Sequence, residues 1–257
     1  MSSIGSLKKT ARERMRSFYW AAFTVNNIAN FYNVYNWIGS LSRLLTGSKG
    51  SAITSLVPAF ADLDLILCLN LALYPALVLG SSTFFLKLIR GEEVRVREVF
   101  GGFRKLFKAL GLFFALLLTI GVPVILIVGF GAVVGNWLGL GLGFRAIVGS
   151  VAAVAALFLF LDYAVVFYVL AENPNLSVLQ VMERSRSIMN GRKPEYALLG
   201  LSFCGWILLD LFLLFGLVRI FVYPYIEAAF AAFYINATAR SSLSGRKHLI
   251  LPAFENL

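Results

Sequence analysis

Histidine is nearly absent from this chain: His248 is the single one among 257 residues, and only two cysteines, Cys68 and Cys204, are present. One imidazole near the C-terminus excludes histidine-based triads and multi-histidine metal sites from the interior. The cysteines form no metal-like or redox-like spacing, and both fall inside apolar runs, so they read as buried thiols. P-loop, dinucleotide-fingerprint and zinc-protease motifs are missing too. The expectation is therefore a non-enzymatic chain with no cofactor. Charge is also scarce. Asp, Glu, Lys and Arg make up 14% of the residues against 59% hydrophobic. A soluble domain of this size needs a polar face on most of its helices. Here several runs are apolar all round and exceed the roughly 18 residues that mark a transmembrane helix.

What is present is a basic, membrane-patterned chain. The net charge of +10 would suggest nucleic acid in a soluble protein. Here the basic residues flank apolar runs, where they fix orientation and meet anionic lipid, so no nucleic-acid partner is expected. The opening stretch "MSSIGSLKKTARERMRSFYW" is basic but lacks an apolar segment followed by a small-residue cleavage site, and is not expected to be removed as a signal peptide. Six spans are predicted, near residues 18–39, 62–89, 106–134, 146–170, 196–218 and 220–239, between a basic N-terminus (1–17) and a C-terminal tail (240–257). All of the 23 Lys and Arg residues except Arg43, Lys49, Arg145 and Arg219 then fall on one side. The positive-inside rule makes that side cytoplasmic, with both termini on it. The last hairpin, "LFGLVRIFVYPY", has only Gly216 and Arg219 as a turn before Pro224, and a single broken helix with an external C-terminus is the other reading. The fold class expected is an all-α polytopic transmembrane bundle with short amphipathic cytoplasmic helices.

Local signals refine this layout. Pro123 in "TIGVPVIL" removes a backbone donor and crowds the Thr119 carbonyl, so a kink is expected. In "GNWLGLGLGFR", Gly135, Gly139 and Gly143 recur every fourth residue, beside Trp137; this is either a helix-packing face or an interfacial turn. The charged stretch "ENPNLSVLQVMERSRSIMNGRKPEY" sits between two apolar runs. Ser177 and Gln180 have the form of a capping box. Val178, Met182, Ser185 and Met189 recur at helical spacing with Val181 and Ile188 alongside, Gly191 is placed to end the helix, and Pro194 suits the first turn of the next. This reads as a short amphipathic helix lying on the inner membrane face or packed on the bundle. Shifting "RGEEVRVREVFGGFRKLFKALGLFF" by 89 positions sets Gly102 on Gly191 and Gly111 on Gly200, which suggests a parallel internal duplication.

The ordered set "NPNLSVLQVMERSRSIMNG", "LSFCGWILL" and "PYIEAAFAAFY", with "LGSSTFFLKLIRGEEVRVREVFGGFRK" upstream, resembles a bacterial membrane family known as domain of unknown function 975, over roughly Leu79 to Tyr234. The resemblance implies a multi-span bacterial membrane protein with no activity assigned. Asp162 and Asp210 lie outside the pattern that carries it.

Ionisable residues within spans are costly and are functional candidates by default. Asp162, Asp210 and Glu227 are such residues, and Asn26, Asn30 and Asn33 share a helical face of the first span. Asp210 and Glu227 lie in the outer half with Asp62 and Asp64, where Arg43, Arg145 and Arg219 offer partners. Asp162, roughly 12 Å from the inner end of its span, has no obvious basic partner at its depth. The basic candidates for docking are Arg184, Arg186, Arg192 and Lys193 on one linker and Arg95, Arg97, Arg104 and Lys105 on the other. Two functions fit: a scaffold in the bacterial cytoplasmic membrane whose linkers meet anionic headgroups, a protein partner or a second copy, or a small transporter or channel using the carboxylates. Paired, dry carboxylates favour the first, and a continuous wet cavity the second.

Overall fold

The computed structural model describes residues 4–30, 65–209 and 220–254, and all regular structure among them is helical. The elements in chain order are α1 (Ile4–Arg16), α2 (Tyr19–Ala29), α3 (Leu65–Arg90), a 3-10 segment (Val96–Lys105), α4 (Leu106–Trp137), α5 (Leu142–Tyr163), α6 (Val166–Glu172), α7 (Val178–Met189), α8 (Lys193–Leu201), α9 (Cys204–Leu209) and α10 (Tyr223–Phe254). They form two compact units, Met1–Leu106 with Leu198–Asn236, and Phe107–Ala197 with Ala237–Leu257.

In the first unit the basic N-terminus is a helix because Leu7, Ala11 and Met15 recur at i, i+4 and i+8 and bury one stripe, which packs on α2 and α3. Helix α3 ends in a Schellman motif: Gly91 takes φ 79°, its N–H reaches the Leu88 carbonyl, and the Glu92 N–H reaches that of Lys87. The 3-10 segment then folds back along α3. Gly80 meets Val99 and Gly102 meets Ala76, with no side chain between the backbones. A Cβ at Gly80 would lie 1.8 Å from the Val99 carbonyl oxygen, and one at Gly102 1.9 Å from that of Ala76. Only glycine permits this approach. The basic linker between these two expected spans is thus packed against the helix before it.

In the second unit α4 and α5 form a hairpin. Gly139, at φ 64°, closes a second Schellman motif, with the Leu140 N–H on the Gly135 carbonyl. The "GNWLGLGLGFR" stretch is therefore a turn, with Trp137 exposed, and Gly135 packs under the Phe144 ring. Helix α4 runs through Pro123 as one helix. Among the described residues three helical stretches are long and apolar enough to cross a membrane: Leu71–Arg90, Val96–Trp137 and Leu142–Glu172. These associate the chain with a membrane. They correspond to the spans expected near 62–89, 106–134 and 146–170. Much of the first span and the turn of the last hairpin lie outside the described residues.

The duplication pairs Gly102 with Gly191, yet the two glycines do different work. Gly102 admits a backbone contact, whereas Gly191 sits at φ 73° in a turn.

Candidate functional site

The long apolar stretch Leu142–Glu172 is interrupted at Ala164 and Val165, where α5 stops and α6 begins. A break in a helix frees carbonyls from their i+4 partners. The Asp162 carbonyl is one that finds a replacement: the Ser185 hydroxyl of α7 donates to it at 3.0 Å, and Ser185 is fully buried. Ser185 reaches that point because α7 packs back on α5 and α6, burying Val181, Met182, Ser185, Ile188 and Met189. The expected stripe and both halves of the capping box are present. Of the two placements open to this helix, packing on the helical body is the one adopted.

After α7 the chain reverses in a type II turn. Asn190 takes φ −60° and ψ 125°, Gly191 takes φ 73°, and the Arg192 N–H donates to the Met189 carbonyl. The turn aims Lys193 at Asp162. Its Nζ is 2.7 Å from Asp162 Oδ1, and Arg186 Nε lies 4.0 Å from Oδ2. Lys193 also sits over the Phe158 ring at 5.6 Å, and Arg186 over Tyr163 at 5.8 Å. Asp162 is therefore not the isolated carboxylate expected from its depth. Counting residues along the spans missed the fold-back that returns the linker's lysine to it. A cleft of about 490 Å³ opens beside the pair, lined also by Glu183, Ser187 and Asn190. Arg192 is held inward as well, donating to the Ala237 carbonyl, while Arg240 pairs with Glu195 at 3.8 Å. Burial first, then the nearby Arg240 charge, pulls the Arg192 guanidinium below its usual pKa, with Glu195 opposing.

In the first unit, Lys87 binds Glu98 at 3.1 Å and so adds a charge contact to the glycine-mediated seat of the 3-10 segment. A second cleft, of about 520 Å³, is lined by Arg97, Glu98, Phe100, Gly101 and Arg104. Lys8 donates to the Ser202 carbonyl at 3.1 Å, where α8 gives way to α9, and lies 4.1 Å from the Phe203 ring centroid. Burial, and secondarily Arg12, lowers the Lys8 pKa. The "LSF" portion of the apolar "LSFCGWILL" segment is thus a helix break served by the N-terminal helix. Sequence reasoning missed this role, although the Leu7, Ala11, Met15 spacing was there to find.

The family described as protein of unknown function (DUF975) matches the chain over residues 7–241. The chain belongs to that family. No curated protein and no solved structure matches it. The match takes in the contacts just described, from Lys8 on α1 through Arg240.

The remaining candidates of this DUF975 chain divide between its units. Asn26 is buried on α2, and Asn30 donates to its carbonyl at 3.0 Å and to its Oδ1 at 3.4 Å. Asn27 donates to the Phe23 carbonyl at 2.8 Å and to that of Ile220 at 3.5 Å. Of these bonds only the one from Asn27 to Ile220 leaves α2; the others run within that helix, and the Asn27 Oδ1 is buried without a hydrogen-bond partner. Glu227 is half-buried on α10 in the same unit, whereas Asp162 belongs to the other. Asp210 and Asn33 lie outside the described residues. Among the basic candidates, Arg95, Arg97, Arg104 and Arg184 are exposed; Lys105 is half-buried and engaged. Among the described residues no group of three or more His, Cys, Asp or Glu side chains converges as metal ligands would.

Proposed function

We propose that this protein is a non-enzymatic scaffold of the bacterial cytoplasmic membrane, with both termini in the cytoplasm, whose basic linkers bind anionic headgroups or a protein partner. The observation that carries this reading is the pairing of Asp162 with Lys193. A carboxylate already closed on a lysine and backed by an arginine, buried under α7, is built as a structural tie. Transport would ask for a carboxylate exposed along a wet path.

The tie also has a natural depth. Helix α5 has 22 residues, a rise of about 33 Å, which matches a hydrocarbon core of about 30 Å. The stretch continuing to Glu172 has 31 residues and rises about 46 Å, so roughly 15 Å of it projects beyond the core. At the opposite end, Arg145 donates to Asn136 at 3.1 Å beside the exposed Trp137, a polar and aromatic pairing suited to an interface. Measured inward from there, the core ends near the α5–α6 break. Asp162 then lies at the cytoplasmic boundary, where a lysine and an arginine reach it from the aqueous side. Helices α6 and α7 stand beyond the boundary and present Arg184 to the cytoplasm.

The test is to isolate the chain in native-lipid particles and identify what co-purifies with the wild type and with the double variant Arg95→Ala/Arg184→Ala. The proposal expects a stoichiometric lipid or protein that is reduced in the variant. A proton or ion flux in proteoliposomes that disappears with Asp162→Asn would instead establish transport.

A further inference from the structure

The 3-10 segment carries two guanidinium groups that nothing in the fold uses. Arg97 and Arg104 are exposed, and among the described residues neither has an ion pair or hydrogen bond. They line one cleft of about 520 Å³ together with Phe100 and Gly101. Glu98, which also lines it, is neutralised by Lys87 at 3.1 Å, so the charge left facing the cleft is positive. The wall is rigid, because Val99 and Gly102 on the opposite side of the segment are buried against the α3 backbone. Phe100 is 52% exposed and stacks on Phe103 at 6.2 Å, so an apolar surface stands beside the two cations.

We infer that this cleft binds the phosphate of an anionic phospholipid, Arg97 and Arg104 holding the phosphate oxygens and Phe100 contacting the glycerol and proximal acyl carbons. Guanidinium forks suit phosphate geometry and desolvate more readily than ammonium groups. The aromatic wall selects an amphiphile over a free phosphate, which has nothing to place there. The segment also runs directly into α4, the most apolar of the long helices among the described residues, so headgroups are the ligands at hand. Gly101 supplies the opening: its φ is not in the left-handed region, and a Cβ there would meet nothing within 4 Å. A side chain introduced at 101 therefore adds bulk at the lining of the cleft without removing charge.

This inference rests on the scaffold reading for its lipid environment, but the two fail separately, because loss of this cleft leaves the Asp162 tie and the flux result unchanged. The experiment is native mass spectrometry of the detergent-solubilised full chain, titrated with phosphatidylglycerol, with phosphatidylcholine, and with inorganic phosphate as competitor. The wild type is expected to retain one phosphatidylglycerol in preference to phosphatidylcholine. Arg97→Gln, Arg104→Gln and Gly101→Leu should each weaken that retention by about tenfold, the scale of one lost charge-assisted contact. Arg16→Gln, which removes an exposed arginine of α1 outside the cleft, should leave it unchanged. Equal loss in Arg16→Gln, full retention in Gly101→Leu, or displacement of the lipid by inorganic phosphate would each overturn the assignment.

Discussion

At the scale of single residues, the second unit turns on what happens where a helix stops. The α5–α6 break gives the Asp162 carbonyl a new partner in Ser185, and the buried hydroxyl has no water to fall back on. Ser185→Ala is expected to lower stability by about 1 kcal/mol, the usual net worth of such a bond. Thermal unfolding in detergent reads this directly, and an unchanged midpoint would show that the bond contributes nothing. Much of this neighbourhood was legible in the sequence. Ser177 with Gln180, the Val181–Met189 stripe and Gly191 are local signals, and each is realised because capping and turn chemistry act over a few residues. The partner of Asp162 was not legible. Lys193 comes to it only because α7 folds back and the type II turn redirects the chain, and no periodicity encodes that return.

At the scale of elements, both linkers behave as inserts packed against a preceding helix. The first is seated by glycine, since Gly80 and Gly102 let two backbones touch. Gly80→Ala or Gly102→Ala should displace the 3-10 segment, with a stability cost of about 1–3 kcal/mol typical of overpacking. Val99, fully buried in the seat, reports on this. A cysteine at Val99, with the native cysteines replaced, should resist maleimide in the parent and react in either alanine variant. Resistance in all three would mean that the seat tolerates a methyl group. Sequence patterning marked the arginines of this linker but not its seat, because a glycine that admits a backbone looks the same as one in a flexible loop. The N-terminal helix was missed for a related reason: its basic residues dominate the reading, while its buried stripe is only Leu7, Ala11 and Met15.

At the scale of the whole molecule, composition alone carried the helical class and the membrane, because apolar runs of this length have few other fates. The membrane boundary we propose rests on the break at Ala164 and Val165, which hydropathy passes over. Placing the boundary there predicts two labelling results. A cysteine at Leu179, 76% exposed on α7, should react with a membrane-impermeant maleimide added from the cytoplasmic side, whereas one at Leu157, 54% exposed on α5, should be shielded by lipid. Labelling at both would put the α5 end in water and move the boundary outward.

The central claim is that Asp162 is a structural tie, and a double-mutant cycle of Asp162→Asn and Lys193→Gln on thermal stability tests it most directly. The Asp162 side chain is 11% exposed and that of Lys193 is 27% exposed, so screening is partial. Each single variant should cost about 2 kcal/mol, discounted from the 3–5 kcal/mol of fully buried pairs. The double variant should cost clearly less than their sum. Additive losses, or an Asp162→Asn protein as stable as the wild type, would contradict the account and return Asp162 to the transport reading.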